Sequence, residues 1–160
     1  MMTYPIKRSI RTVVAALLMA LLCGALSPCA VLAQDTTLEN KRIVLDFYSM
    51  IFEKHQVREA FDKYAGSTYI QHNPSVPDGV EPDVKFLDER FRTYPKATNE
   101  VKRVVAEGDL VVLHVHSRLS PDDRGRAIID IFRVERGKIV EHWDVIQSVP
   151  EKAANTNTMF

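Results

Sequence analysis

Cysteine and glycine are both scarce in this chain of 160 residues. Its two cysteines, Cys23 and Cys29, lie near the N-terminus, and it has only six glycines. If residues 1–33 are removed, as predicted below, no thiol remains, and disulfides and thiolate metal sites are excluded. None of the glycines forms the Gly-rich spacing that cradles phosphate groups. The remaining 127 residues suit a single domain that depends on a hydrophobic core for its stability.

The sequence also lacks an excess of charge of either sign. It has 21 Lys and Arg residues against 21 Asp and Glu residues. Without the first 33 residues, 18 basic residues remain against 21 acidic ones, a formal net charge of −3. A mildly acidic domain lacks the basic surface by which proteins bind nucleic acids, so no nucleic acid partner is expected.

Residues 1–33 have the pattern of a signal peptide. The basic residues Lys7, Arg8 and Arg11 precede an apolar run from Val13 to Leu22, and Val31-Leu32-Ala33 is a small-residue cleavage signal before Gln34. This pattern predicts a periplasmic or secreted protein, cleaved after Ala33, with a single domain at residues 34–160. The alternative is an uncleaved membrane anchor, which the breaks at Gly24, Ser27 and Pro28 disfavour.

The first half of the domain reads as helical. A possible capping box at Thr36-x-x-Glu39 and apolar residues at helical spacing predict a first helix from about Leu38 to Glu53. A second short helix carries Val57, Phe61 and Tyr64, and a short strand, Ser67 to Gln71, follows Gly66. The third helix is expected from about Glu81 to Arg92, with Pro95 beyond its end.

In the second half of the domain, apolar and polar residues alternate with the two-residue period of β-strands. Four strands are predicted, at about Thr98–Glu107, Leu110–Leu119, Arg126–Val134 and Lys138–Gln147, separated by turns rich in Gly, Asp and Pro. They predict an antiparallel meander, and helices on one face of such a sheet would leave a concavity able to hold a small molecule.

The alternation indicates which side chains share a face. His114 and His116 are two residues apart on one strand and therefore point the same way. A five-residue loop at Pro121–Gly125 would pair Ser120 with Arg126, which sets His116 opposite Asp130 and His114 opposite Phe132. Ser117 would then point to the other face.

The register of the last hairpin is open between two loops. A two-residue loop, Arg136-Gly137, sets Asp130 opposite Trp143, whereas a three-residue loop that includes Glu135 sets it opposite His142. The three-residue loop is favoured because it needs no positive φ at Arg136. His142 and Asp144 then share the face of Asp130, and Trp143 lies on the outer face.

The resulting cluster of imidazoles and carboxylates beside Ile128 and Phe132 is equipment for general acid/base chemistry. One alternative is that this face is simply the solvent side of a half-covered sheet. Another is a metal site, because His114, His116, His142 and a carboxylate are suitable ligands. Neither a metal nor another cofactor is expected.

Four segments resemble the SnoaL-like polyketide cyclase group, within the superfamily of nuclear transport factor two and ketosteroid isomerase. They are Tyr69–Pro74, His114–Ser117, Asp130–Arg133 and Gly137–Asp144. The resemblance implies a cone-shaped α+β barrel, in which a curved antiparallel sheet wraps around three N-terminal helices and encloses a pocket. It also implies a homodimer formed through the outer face of the sheet.

The resemblance further implies an aldol condensation without a cofactor, in which an Asp is the general acid/base. Asp130 matches that Asp, His116 matches an assisting His, Asn73 matches a pocket Asn, and His114 stands where a Gln is usual. The face assignments and the resemblance together give the expected substrate-binding residues: His72, Asn73, His114, Phe132, His142 and Asp144.

Two functions remain open on the sequence alone. One is a cofactor-independent enzyme that moves a proton next to the carbonyl group of a small molecule, with Asp130 as base and His116 assisting. The other is a non-catalytic periplasmic protein that binds a small apolar or aromatic ligand in the same pocket.

Processing of the N-terminus is directly testable. Exported material is expected to begin at or near Gln34, because signal peptidase cuts after the small residue at Ala33. Intact-mass analysis of periplasmic protein checks this, and a mass that includes Cys23 would contradict it.

Overall fold

The computed structural model describes residues 28–160, with side chains from residue 36 onward. Contacts divide the chain between Ala33 and Gln34, and Gln34–Phe160 packs as a unit of its own. The predicted basic and apolar regions of the signal peptide lie outside the described residues, so the signal peptide stays a prediction. None of the helices in the described part is long and apolar enough to cross a membrane.

Three helices and five strands follow one another within residues 28–160. The helices are α1 (Pro28–Phe52), α2 (Val57–Tyr64) and α3 (Val80–Thr93). The strands are β1 (Ala65–Gln71), β2 (Thr98–Glu107), β3 (Leu110–Arg118), β4 (Arg126–Glu135) and β5 (Lys138–Ser148). The strands β2–β5 agree with the predicted ones to within one residue at each end. Helix α1 is longer than predicted and already includes Thr36, so Thr36 is not its N-cap.

The five strands form one curved sheet in the order β1-β5-β4-β3-β2. Strands β2 to β5 are the predicted antiparallel meander, but β1 pairs with β5 in the parallel direction. The sheet is therefore mixed and open, rather than purely antiparallel or closed. With this correction, the predicted α+β class, three helices against a curved sheet, is confirmed.

The hydrophobic core lies between the helices and the inner face of the sheet. The ring of Phe47 on α1 is at its centre and packs edge-on against Phe61 of α2, at 5.0 Å between centroids, and against Phe132 of β4, at 6.0 Å. Val111, Leu113 and Val115 of β3 are fully buried against them. Aromatic pairs in edge-to-face contact add to the hydrophobic stabilisation that burial provides.

The hairpin between β3 and β4 corrects the predicted register. Ser117, not Ser120, pairs with Arg126, because β3 ends at Arg118 and the seven residues from Leu119 to Gly125 form the loop. Asp123 closes this loop by accepting hydrogen bonds from the backbone N–H groups of Leu119 and Gly125, each at 2.9 Å. A shift of three residues is odd, so it reverses the faces of β3 relative to β4.

The hairpin between β4 and β5 has the two-residue loop, contrary to the favoured prediction. Glu135 pairs with Lys138, and both Arg136 and Gly137 have positive φ angles, 51° and 77°. The pairing then shifts by one at Val140, which is bulged out of the ladder between Ile139 and Glu141. Asp130 therefore lies opposite Asp144.

The bulge has a specific effect on the faces of β5. Without it, the two-residue loop would turn Trp143 toward the face of Asp130. With it, His142 and Asp144 share that face and Trp143 lies on the outer one. This placement agrees with the sequence prediction, although the loop on which the prediction rested was wrong.

Gly125 is expected to be required for the β3–β4 loop. It has φ +84°, and an added Cβ would meet the Ser117 carbonyl oxygen and, at 2.7 Å, His116 Nε2. Gly125→Ala is expected to lower the free energy of unfolding by roughly 2 to 5 kcal/mol, from backbone strain and overpacking combined. Urea unfolding measures this loss.

Gly137→Ala is the matched control, because Gly137 has φ +77° and nothing lies within 4 Å of its added Cβ. Only the backbone strain applies there, about 1 to 2 kcal/mol. Equal losses in the two variants would contradict the close approach at Gly125.

Candidate functional site

A cavity of about 140 Å³ lies between the helices and the inner face of the sheet. Most of its wall is apolar, formed by residues that include Phe47, Phe61, Leu87, Ile128, Phe132 and Ile146. Polar side chains enter this wall from α1, from α3, from all five strands and from Asn73, which follows β1. Such a site is typical of small-molecule binding, in which apolar walls supply contact area and few polar groups orient the ligand.

Asp130 on β4 is the central polar group of the cavity. Only 7% of its surface is exposed. The hydroxyl of Tyr48 on α1 donates a hydrogen bond to Asp130 Oδ2 at 3.1 Å, and His142 Nε2 on β5 lies 3.3 Å from Asp130 Oδ1. Both carboxylate oxygens therefore have partners, as a buried carboxylate requires.

Gln71 at the end of β1 determines the tautomer of His142. The amide of Gln71 has a defined orientation, because its Nε2 donates to Asp83 Oδ2 at 2.8 Å and its Oε1 accepts the Asn73 N–H at 2.9 Å. The same Oε1 lies 2.9 Å from His142 Nδ1. An amide oxygen can only accept, so Nδ1 of His142 carries a hydrogen and donates it.

It follows that His142 and Asp130 share one proton. With the hydrogen of neutral His142 on Nδ1, its Nε2 has only a lone pair, which would repel an ionised Asp130. Either Nε2 is protonated too, or Asp130 carries the proton. Burial lowers the pKa of His142, but the hydrogen bond to Asp130 and the charge of Asp130 outweigh burial and raise it above 6.5. Beside Asp130, His142 therefore keeps its second proton to a higher pH than an ordinary histidine does.

Two cavity groups, Asp83 and Tyr48, have raised pKa values. Burial raises the pKa of Asp83, although hydrogen bonds from Tyr69 and Gln71 oppose the shift. Burial, and then the charge of Asp130, raise the pKa of Tyr48 well above its usual value. Tyr48 thus remains a hydrogen-bond donor, and Asn99 Nδ2 donates to its hydroxyl oxygen at 2.9 Å.

The structure brings five of the residues singled out in the sequence to this cavity. Asp130, Phe132, His142, Asp144 and Asn73 all line it. Asn73 follows β1, and its Nδ2 donates to Asp144 Oδ2 at 2.6 Å. These five come from three separate segments, which the parallel pairing of β1 with β5 places side by side.

His116 and His114 do not belong to the site, and the prediction that His116 faces Asp130 is wrong. Asp130 lies opposite Leu113, whereas His116 lies opposite Ala127, because the β3–β4 register is shifted by three residues. Both histidines lie on the outer face, where the ring of Phe160 stacks on His116 at 4.0 Å. His116 Nε2 donates to the Arg124 carbonyl oxygen at 2.9 Å.

This placement also separates the ligands of the metal alternative. His142 is on the inner face of the sheet, and the His114-x-His116 pair is on the outer one. Within residues 28–160, no group of three or more His, Cys, Asp or Glu side chains is arranged to hold a metal ion.

His72 lies outside the cavity as well, so its prediction as a substrate-binding residue is wrong. Its ring stacks on Trp143 at 4.6 Å, and its Nε2 lies 2.8 Å from Glu141 Oε1. Strand alternation explains this: Gln71 and Asn73 point inward, so His72 between them points outward.

Sequence reasoning missed several polar residues of the cavity. They are Tyr48, Gln71, Asp83, Arg90, Asn99, Ser117 and Arg126. For α3 the signal was present, because Asp83, Leu87 and Arg90 recur at helical spacing on one face. Ser117 was expected on the other face, and the register shift turns it inward, where it is 1% exposed.

The pKa of His142 offers a test of the shared proton. In Asp130→Asn the carboxylate is gone and the burial remains, so the pKa of His142 is expected to fall. Histidine NMR titration measures this change. Asp144→Asn is the control, because the charge of Asp144 has the weakest of the effects that raise the pKa of His142. An equal fall in the two variants would contradict a specific pair with Asp130.

The sign of the pH dependence follows from the same shift. The folded-state pKa of His142 is raised above 6.5, its ordinary value. The stability that the imidazolium contributes is therefore fully present below pH 6.5 and is lost as the pH rises through the folded-state pKa.

Solved structures of known proteins share this fold. AclR from Streptomyces galilaeus, described as a candidate hydroxylase, superposes with a TM-score of 0.60 at 20% identity, over 71% of this chain and 82% of that protein. A candidate ketosteroid isomerase from Kribbella flavida gives 0.60 at 15% identity, over 74% and 85%. A candidate polyketide cyclase from Bacillus cereus gives 0.57 at 24% identity, over 68% and 74%. At these identities the likeness shows the fold alone.

None of the curated proteins matches the chain. A family model, that of the SnoaL-like polyketide cyclase, matches residues 42–154. This match covers α1 from Arg42 onward, all other elements and the entire cavity. It confirms the resemblance seen in the four sequence segments, and the chain belongs to the SnoaL-like polyketide cyclase family.

Proposed function

We propose that the protein is a cofactor-independent acid/base enzyme that moves a proton at a carbon next to a carbonyl group. The reaction would be an isomerisation or an aldol cyclisation of a small compound. The observation that carries this proposal is the pair of Asp130 and His142, whose Oδ1 and Nε2 lie 3.3 Å apart inside a largely apolar cavity. His142 takes the assisting role that the sequence had given to His116.

In the proposed mechanism, the Asp130 carboxylate removes a proton from the carbon beside the carbonyl group. The electrons of that C–H bond move to the carbonyl oxygen and form an enolate. Tyr48 lies beside the base and stays protonated. Its single hydroxyl hydrogen is donated to Asp130 in the resting site, and it turns to the new negative charge once Asp130 has taken up the proton.

Asp130 then returns the proton, and its destination determines the reaction. Delivery to another carbon of the enolate completes an isomerisation. In a cyclisation, the enolate carbon attacks a second carbonyl group of the same molecule, and the proton goes to the new alkoxide. The net charge of the site is the same before and after either cycle.

The surroundings of Asp130 support its use as a base. The carboxylate lies among apolar side chains such as Ile128 and Phe132, which stabilise its charge less well than bulk water would. His142 compensates part of this loss, and Gln71 holds the His142 ring in place. A partly desolvated, oriented carboxylate is the arrangement that general bases need.

Family membership supports the reaction class but not the substrate. The family description names polyketide cyclases, and a solved protein of similar fold is described as a candidate ketosteroid isomerase. Both reactions proceed by proton transfer next to a carbonyl group. Since one fold hosts many activities, the proposed reaction depends on the side chains around Asp130 and not on the fold.

We further propose that the protein acts outside the cytoplasm. The support is the basic and apolar pattern of residues 7–33, with its small-residue cleavage signal. Because polyketide intermediates are made in the cytoplasm, an exported protein is expected to act on another small carbonyl compound.

Deuterium incorporation tests the proposed base without knowledge of the natural product. Simple ketones such as 1-indanone and 2-tetralone are incubated with the domain in D₂O, and exchange beside the carbonyl is followed by NMR. Asp130→Asn keeps the shape but cannot accept the proton, so the catalysed exchange is expected to fall by roughly 10²- to 10⁴-fold.

Asp144→Asn is the matched control, since it also removes one carboxylate charge from the cavity, at the position opposite Asp130. Its effect is expected to be much smaller. Full exchange in a folded Asp130→Asn protein would show that the base is elsewhere. Ketones that stabilise the protein thermally but show no catalysed exchange would favour the non-catalytic binding protein.

A further inference from the structure

A positively charged end of the cavity is left without an acidic partner. Arg90 on α3 lines the cavity, and its Nη2 donates to Asn99 Oδ1 at 2.9 Å and to Ser117 Oγ at 3.0 Å. Both of these acceptors are neutral. Its Nη1 is buried and has no hydrogen-bond partner within the described part of the chain.

The guanidinium is nevertheless held firmly in place. The rings of Phe52 and Phe91 each lie 5.8 Å from its central carbon, in cation–π contact. Together with the two hydrogen bonds of Nη2, these rings fix its position before any ligand arrives. Among the other arginines of the described residues, five form an ion pair with a carboxylate: Arg42, Arg58, Arg92, Arg133 and Arg136.

A second cation lies at this end of the cavity. Arg126 on β4 also lines the cavity and lies directly opposite Ser117, the residue that Arg90 contacts. Burial lowers the pKa of Arg90; Tyr48 opposes this shift, and the repulsion of Arg126 adds to it. An arginine remains protonated even so, and a buried cation without a counterion costs folding free energy.

The acidic groups of the cavity lie at its other end. Asp83 and Arg90 are seven residues apart on α3, a separation of about 10 Å at 1.5 Å per residue. Arg126 and Asp130 are four residues apart on β4, about 13 Å at roughly 3.3 Å per residue. The apolar side chains of Leu87 and Ile128 line the wall between the two ends.

We propose that Arg90 binds a carboxylate of the substrate, so that the cavity selects small carbonyl compounds that carry a carboxylate remote from the reacting carbonyl group. This inference rests on the proposed function for the position of the carbonyl group at Asp130. A carboxylate supplies the missing counterion, and its oxygen accepts from Nη1, which has no other partner.

The occupant is a carboxylate because the free hydrogen-bonding capacity at Arg90 is small. Asn99 and Ser117 already occupy Nη2, and apart from Arg126 the neighbouring wall is formed by apolar side chains such as Phe52 and Leu87. A single planar, monovalent anion on a short apolar chain fits these groups. The separation of the ends corresponds to a few carbon atoms between the carboxylate and the reacting ketone.

Binding of a matched pair of probes tests the proposal. The probes are 4-oxo-4-phenylbutanoate and its amide, which differ in charge but hardly in shape. Calorimetry on the wild-type domain is expected to show tighter binding of the carboxylate, by roughly 10- to 100-fold, as a hydrogen-bonded charge pair contributes. Equal affinity for the two probes would overturn the proposal.

Substitutions on α3 test whether Arg90 causes the preference for the carboxylate probe. Arg90→Gln is expected to abolish the preference for the carboxylate probe. Arg90→Lys retains the charge but not the planar guanidinium, and it is expected to keep part of the preference. Arg92→Gln is the control on the same helix, because Arg92 is exposed and pairs with Glu89; the preference should persist there. A preference that survives intact in Arg90→Gln would overturn the assignment, and if that variant does not fold, a full preference in Arg90→Lys would overturn it.

Asp130→Asn separates this inference from the proposed function. It removes the base, but the preference for the carboxylate probe is expected to remain in it, since Arg90 is unchanged. Loss of the deuterium exchange with the preference intact supports both proposals. Exchange that persists in Asp130→Asn while Arg90→Gln loses the preference overturns the catalytic role of Asp130 only.

Discussion

The orientation of one amide, that of Gln71, is the constraint on which the rest of the site depends. Asp83 holds the amide nitrogen and Asn73 holds the amide oxygen, so the oxygen must face His142. This places a hydrogen on Nδ1 of His142 and leaves Nε2 to share a proton with Asp130. Without the parallel pairing that sets Gln71 opposite His142, the amide would have no access to the ring.

A chain of hydrogen bonds also connects the two ends of the cavity. It runs from Arg90 to Asn99, from Asn99 to Tyr48 and from Tyr48 to Asp130. Each donor in the chain is oriented by the next group, and in a poorly hydrated interior such chains polarise one another. The charge at Arg90 therefore favours the donor direction that Tyr48 needs toward Asp130, even though the two charged groups are not in contact.

The elements of this fold were largely readable from the sequence, but their register was not. Alternation located β2 to β5 to within one residue, since it depends only on each strand's own side chains. The facing of β3 against β4 depends instead on the loop between them, where the side chain of Asp123 binds two backbone N–H groups and shortens β3. The face shared by His142 and Asp144 was predicted correctly for a different reason, because the bulge at Val140 offsets the shorter turn.

The side chains of β5 that face the cavity are thus determined by two shifts of one residue each. The two-residue turn at Arg136 and Gly137 would point His142 and Asp144 away from the cavity. The single extra residue at Val140 shifts the pairing once more and points them back toward it. Either change alone would present Trp143 to the cavity and move both His142 and Asp144 to the outside. Anyone who transplants this hairpin, or aligns it with a relative that has a longer turn, must therefore treat the turn and the bulge as one unit.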